Sequence, residues 1–120
     1  MILTRRPRRL RTTAAMRALT AETALRPEQL IQVFFVRDGI SEPQPISSMP
    51  GQYQHTLESL IPAVRQAVEA GTKCIDLFGV PLDDDKDEVG SAAWDDSGIL
   101  NRAIAACRAE FGDEIVIMAD

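Results

Sequence analysis

The chain is 120 residues long, 45% hydrophobic and 26% charged, with seven glycines, seven prolines and two cysteines. That is enough for one ordinary globular core, and no stretch approaches the roughly 18 consecutive apolar residues that a membrane span requires. The net charge of −5 hides a division: residues 1–37 carry eight arginines against Glu22 and Glu28, a net +6, whereas residues 38–120 carry five basic and sixteen acidic residues, a net −11.

A basic arm thus precedes an acidic body. Its centre, Arg5-Arg6-Pro7-Arg8-Arg9-Leu10-Arg11, admits four readings. Nucleic-acid binding is disfavoured, because no aromatic residues interleave the arginines and the acidic body would repel phosphates. A transit peptide fits the Arg-rich, acid-free first twenty-one residues. An assembly arm would set guanidinium groups against acidic patches of a neighbouring subunit. A solvated tail is the simplest reading. No short apolar segment with a small-residue cleavage site follows the basic start, so a secretory leader is not expected. Cys74 and Cys107 fall outside any Cys-x-x-Cys pattern and are expected to stay reduced in a cytoplasm.

In chain order, residues 13–24 (TAAMRALTAETA) have helical spacing, with Thr12 or Thr13 as N-cap. Pro27 opens a turn. Residues 30–36 (LIQVFFV) read as a buried strand ending at Asp38-Gly39. Residues 40–53, with three prolines, three serines and a glycine, exclude a helix. Helical periodicity over residues 56–70 gathers Leu57, Leu60, Ile61, Val64, Ala67 and Val68 on one side. Thr56 can cap this helix, which Pro62 would make begin effectively near Ser59, and Gly71 ends it.

Residues 73–80 (KCIDLFGV) form a second strand, stopped by Pro81. An acidic loop, 83–88, leads to a cap at Asp95, Asp96 or Ser97. Ile99, Leu100, Ala103, Ile104 and Cys107 then make the apolar face of a helix ending at Phe111-Gly112, and residues 114–119 are the third strand. This is a right-handed βαβαβ unit of the α/β class. Three parallel strands leave two open edges, so the unit is expected to continue into an open doubly wound sheet or an eight-stranded barrel. No Gly-x-Gly-x-x-Gly follows the first strand, against a dinucleotide-binding start.

Few residues carry chemistry. The run Asp83-Asp84-Asp85-Lys86-Asp87-Glu88 fails as an EF-hand, because its sixth position is Glu88 and its twelfth is Trp94; a solvated loop is expected. His55, the single histidine, reads as a surface or capping residue. Cys74 and Cys107 read as small hydrophobes. Neither Lys73 nor Lys86 has the desolvated setting that a Schiff-base amine needs. Asp120 stands out, because the C-terminal end of a parallel strand is where α/β active sites are built; the competing reading is a carboxylate that caps the next turn.

Several stretches, in order, resemble the porphobilinogen synthases, or δ-aminolevulinic acid dehydratases. They are RPRRLR (6–11), LIQVFFV (30–36), GISEPQPISSMPG (39–51), LFGVP (77–81), KDEVGSAA (86–93) and MAD (118–120), with GIL (98–100) and AI (103–104) fitting as well. The resemblance implies a (β/α)₈ TIM barrel preceded by an arm that wraps a neighbouring subunit in a large homo-oligomer. Residues 1–28 would be the arm, and residues 29–120 the first three βα units of the barrel. The implied activity is that of a lyase condensing two 5-aminolevulinate molecules to porphobilinogen, on the way to haem, through two Schiff-base lysines. Zinc held by three cysteines, or magnesium, would act as Lewis acid.

In the family pattern the metal loop begins directly after Asp120 and both lysines lie on later strands. Asp120 is therefore the one residue here carried over to the active-site wall. No metal or other cofactor is expected to bind these 120 residues, and no nucleic acid or membrane partner is expected. Two alternatives stand beside this reading: a non-catalytic assembly segment of such a barrel, or another Schiff-base barrel of the aldolase type.

Overall fold

A computed structural model describes residues 8–120; Arg5 and Arg6 of the arginine run lie outside the described residues. The N-terminal portion begins with a short 3₁₀ turn, Arg9–Arg11, and a six-residue helix α1, Ala14–Leu19. Thr13 caps α1, its Oγ1 accepting from the Met16 N–H at 3.1 Å. The helix stops well before residue 24. Apart from half-buried Met16 its residues are exposed, so no packed face extends it, and helices this short are marginal alone. The molecule measures 67 × 36 × 26 Å, with a radius of gyration of 20.9 Å. A compact chain of this length would have a radius near 14 Å, so the arm stands away from the body.

The body is a five-stranded sheet in the order β2-β3-β1-β4-β5. Its strands are β1 Ile31–Arg37, β2 Gln44–Pro45, β3 Tyr53–His55, β4 Cys74–Val80 and β5 Val116–Ala119. The three predicted strands are present and parallel: β1 pairs β4 over seven residues, and β4 pairs β5 over four. The segment predicted as plain loop contributes two more short strands. β3 runs parallel to β1 through Phe35–Gln54 and Val36–His55, and β2 pairs antiparallel with β3. One of the two expected open edges is thus partly covered.

Helix α2, Leu57–Glu69, begins at Leu57 rather than near Ser59. Thr56 Oγ1 accepts from Ser59 N–H at 3.1 Å and Ser59 Oγ accepts from Thr56 N–H at 3.0 Å. This reciprocal box satisfies two otherwise orphaned donors and fixes the start ahead of Pro62. The end is a Schellman turn: Thr72 N–H donates to Ala67 O and Gly71 N–H to Val68 O. Gly71 there has φ +104°, where a side chain would be strained.

Helix α4, Ile99–Phe111, has Gly98 at its N-cap and no side-chain cap. The expected caps are occupied elsewhere: Asp95 Oδ1 accepts from Ser97 N–H at 2.8 Å and Ser97 Oγ at 2.7 Å. A four-residue helix α3, Ser91–Trp94, precedes this turn. Among the described residues no helix is long and apolar enough to cross a membrane.

Both long helices pack on one face of the sheet. Leu60 and Val64 of α2 meet Ala103 and Cys107 of α4 over Val36, Ile75 and Leu77, all fully buried. Burying each large aliphatic side chain contributes about 1.5–3 kcal/mol. Arg65 of α2 pairs with Glu110 of α4 and lies 5.4 Å above the Phe111 ring, but both charged groups are exposed and the pair adds little. Consecutive strands β1, β4 and β5 as neighbours, with both crossover helices on one side, is single winding. It matches the opening of a (β/α)₈ barrel and not a doubly wound sheet.

Close approach of α4 to the sheet requires Gly79: a Cβ there would come within 2.6 Å of Leu100 Cβ and 3.2 Å of Leu100 Cα. Gly79→Ala is therefore expected to cost about 1–3 kcal/mol by overpacking. Urea unfolding followed by circular dichroism checks this, and an unshifted midpoint would show that α4 can retreat freely.

Candidate functional site

Parallel pairing brings the C-terminal ends of β1, β4 and β5 to one rim of the sheet. Three segments meet there: Asp38-Gly39 after β1, the acidic loop after β4, and Asp120 after β5. Asp120 continues the ladder, its N–H donating to Leu77 O at 3.1 Å. A cavity of about 180 Å³ opens beside it, bordered by Gly79, Lys86, Asp87, Ala92 and Leu100. The one residue that the sequence singles out for the site therefore stands at the mouth of a hollow.

The acidic loop borders a second hollow of about 340 Å³ with Asp38, Asp84, Asp85, Asp87 and Asp95. Its carboxylates are largely engaged in local structure. Asp87 Oδ1 accepts from Val89 N–H at 3.2 Å and Ser91 N–H at 2.9 Å, and Oδ2 accepts from the Ser91 hydroxyl. Asp83 accepts from Lys86 Nζ at 2.6 Å. Asp38 meets Arg102 of α4 at 3.3 Å. Among the described residues no group of three His, Cys, Asp or Glu side chains is arranged to hold a metal ion.

These contacts hold several carboxyls below the usual carboxylate range: Asp87 through the Ser91 hydroxyl and backbone, Asp95 through Ser97, and Asp83 through its bond to Lys86. Lys86 is thus committed to Asp83 and half-exposed. Lys73 reaches Glu114 at 3.3 Å just before β4, at the opposite rim. Neither is a desolvated amine, as the sequence predicts.

The two thiols do not converge. Cys74 begins β4 at the far rim, and Cys107 is buried on α4, where desolvation pushes its thiol up to about 11. With Asp120 they do not form the three-ligand set of a zinc centre, so no chemical step can be routed through a metal on these residues.

His55 lies in β3 rather than simply before the helix. Its ring meets Phe34 edge-on at 6.0 Å, its Nδ1 is 3.3 Å from Ser59 Oγ, and partial burial lowers its pKa. That is a packing and capping role away from the rim cavity.

Sequence reasoning did not single out Arg37, whose Nη1 donates to Gln54 Oε1 at 2.9 Å. The signal was present in the alternation of β1: Phe34 and Val36 turn to the helices, so Phe35 and Arg37 turn to the other face.

A family model described as delta-aminolevulinic acid dehydratase matches residues 4–120. The chain is 54% identical over 115 residues to the delta-aminolevulinic acid dehydratase of Streptomyces coelicolor, covering 96% of this chain and 35% of that protein. The Mycobacterium tuberculosis protein of the same name is 55% identical over the same coverage. The crystal structure of the Toxoplasma gondii delta-aminolevulinic acid dehydratase (porphobilinogen synthase), in complex with the reaction product porphobilinogen, matches with a TM-score of 0.90. The identity is 36%, over 98% of this chain and 33% of that one. The chain thus spans about a third of the length of the relatives it matches.

Acid titration tests the loop geometry. A carboxyl depressed in the folded state stabilises the loop above its ordinary pKa of about 3.9, and that contribution is lost as pH falls through the lower folded value. The Ser91 and Val89 amide resonances should therefore titrate with a midpoint below that of a free aspartate. A midpoint at or above it would mean that the Asp87–Ser91 bonds do not persist in solution.

Proposed function

Because the chain belongs to the delta-aminolevulinic acid dehydratase family, we propose that it supplies the arm and first three barrel strands of an enzyme condensing two 5-aminolevulinate molecules to porphobilinogen. The observation that carries this reading is that the family match runs from the arm through the sheet to Asp120. Residues 1–28 are the arm and residues 29–120 the barrel portion. The enzyme is a cytoplasmic lyase.

In this reading Asp120 forms part of the active-site wall, at the strand end where barrel chemistry is assembled. Its carboxylate orients an amino group of bound substrate by accepting its hydrogen bond. The two amines that form Schiff bases, and the ligands of zinc or magnesium, belong to the family's later strands and to the loop after Asp120. The cation would polarise a substrate carbonyl. Residues 1–120 alone supply neither amines nor ligands, so by themselves they make no porphobilinogen.

Asp120→Asn in the complete enzyme is expected to lower turnover by at least about a hundredfold, the scale of losing a positioned catalytic group, while leaving assembly intact. Porphobilinogen formation at saturating 5-aminolevulinate measures it, alongside the wild type and residues 1–120 alone. Near-normal turnover would take Asp120 out of the site. Product from the isolated 120 residues would show that the reading of the missing groups is wrong.

The arm serves assembly. Arg8, Arg9, Arg11 and Arg17 are exposed and make no ion pair among the described residues. Their guanidinium groups meet carboxylates of a neighbouring subunit in a homo-oligomer. Deleting residues 1–11 should shift the complete enzyme to smaller species, more so at high salt, which screens the remaining exposed pairs. Sedimentation velocity at low and high salt checks this, and an unchanged distribution at both would refute it.

A further inference from the structure

The sheet face turned away from α2 and α4 carries three rows of side chains. Residues paired in register share a face, and Ile75 and Leu77, one residue out of phase, are buried under the helices. Ile31, Cys74 and Val116 form the lowest row, Val33, Asp76 and Met118 the middle one, and Phe35 and Phe78 the upper one, beside Asp120. Ile31, Val116 and Met118 are 53%, 60% and 44% exposed, so the lower part of this face is apolar and uncovered. Asp76 is the single charged residue in the two lower rows.

Asp76 is half-buried and stands among side chains that cannot satisfy a carboxylate. Val33 and Met118 flank it across the strands, and Cys74 and Phe78 lie two residues to either side along β4. None of the four is a strong hydrogen-bond donor. The cations of the acidic body are committed elsewhere. Its five basic residues, Arg65, Lys73, Lys86, Arg102 and Arg108, pair with Glu110, Glu114, Asp83, Asp38 and Asp113 respectively. Arg37 is held to Gln54 over β3. Among the described residues Asp76 therefore has no ion-pair partner.

A closed (β/α)₈ barrel has a packed interior, not a channel. Once further strands cover this face, the Asp76 side chain leaves water. A buried carboxylate without a countercharge costs far more than its packing returns, and protonation alone would leave a polar group among apolar neighbours. We propose that Asp76 forms an ion pair inside the completed barrel with a lysine or arginine that points inward from the fourth, sixth or eighth barrel strand. The strand numbers follow from barrel geometry: the side chains of one interior layer come from alternate strands, and Asp76 stands on β4, the second strand of the barrel. The inference rests on the reading under Proposed function that this sheet opens such a barrel. The pair lies one rung below the Phe35–Phe78 row and fixes how the later strands seat against β4.

The test uses the complete enzyme and its thermal unfolding at one scan rate. Asp76→Asn keeps the shape of the side chain and removes the charge. It should leave the cation uncompensated and lower the unfolding midpoint by at least about 5 °C, the scale of breaking a buried pair. Asp76→Glu, which keeps the charge, should lose less. Each inward lysine or arginine of the fourth, sixth and eighth strands is then replaced by Met, alone and together with Asp76→Leu. For one of them the double variant should unfold well above the Asp76→Leu single variant, because neither charge is left unpaired. That rescue is the readout if Asp76→Asn fails to fold.

An Asp76→Asn midpoint within about 1 °C of wild type would overturn the inference, as would the absence of any inward cation on those strands. Failure of every double variant to recover stability would overturn it too. Porphobilinogen formation by the wild type is read separately. Its absence would remove the enzyme reading, whereas a failed rescue in an active enzyme would remove only the ion pair.

Discussion

Everything at the rim depends on one-sided burial. Val36, Ile75 and Leu77 are sealed beneath α2 and α4, and because both helices occupy that face, the alternate residues of the same strands face the other way. Had α2 and α4 packed on opposite faces, Phe35, Phe78 and Asp120 would lie under a helix rather than along an open surface. Gly79 sets how tightly the seal closes, since only a residue without Cβ lets Leu100 approach so near. The sheet thus separates two tasks: one face supplies stability, and the other carries side chains available for chemistry.

The long elements were legible because their signals are intrinsic. Residues 30–36 and 73–80 are apolar and β-branched enough to read as buried strands, and the Leu60–Val64 spacing shows a helical face whatever it packs against. The missed elements draw their structure from partners. Tyr53-Gln54-His55 is three residues long between a Pro/Gly-rich loop and the Thr56 cap, and it becomes a strand only because β1 offers Phe35 and Val36 to pair with. The start of α4 was misplaced because Asp95 has two local uses. Its carboxylate can cap a helix or close a turn with Ser97, and the turn prevails.

The same distinction governs the site. Asp120 stands out by its place at the end of an apolar run, a purely local cue, and it lies at the rim of the sheet. The alternation of β1 shows which face Arg37 takes, but its partner Gln54 lies in the segment that reads as loop. The acidic loop is the converse case. Its sequence invites a metal site, but Asp83 turns to Lys86 and Asp87 to Ser91. Each contact that lowers a carboxyl's pKa uses up a lone pair that a cation would need. Asp83 and Asp87, bonded in this way, shape the rim.

The division between faces also spreads charge unevenly over a strongly acidic body. The acids concentrate in the loop after β4 and at the start of α4, around a hollow on the helix side of the rim. The inward row between Gln54 and Asp120 contains no acid until Asp120 itself, and Arg37 stands above it. Field strength near a surface depends on the nearest unpaired charges more than on the net charge, because solvent screens distant groups and local partners neutralise the rest. With Asp83 and Asp38 facing Lys86 and Arg102, the unpaired guanidinium of Arg37 sets the local sign at its end of the row. The result is a face with a guanidinium and Gln54 over β3 and β1, Asp120 at the end of β5, the Phe35 and Phe78 rings between them, and Asp76 one rung below Phe78.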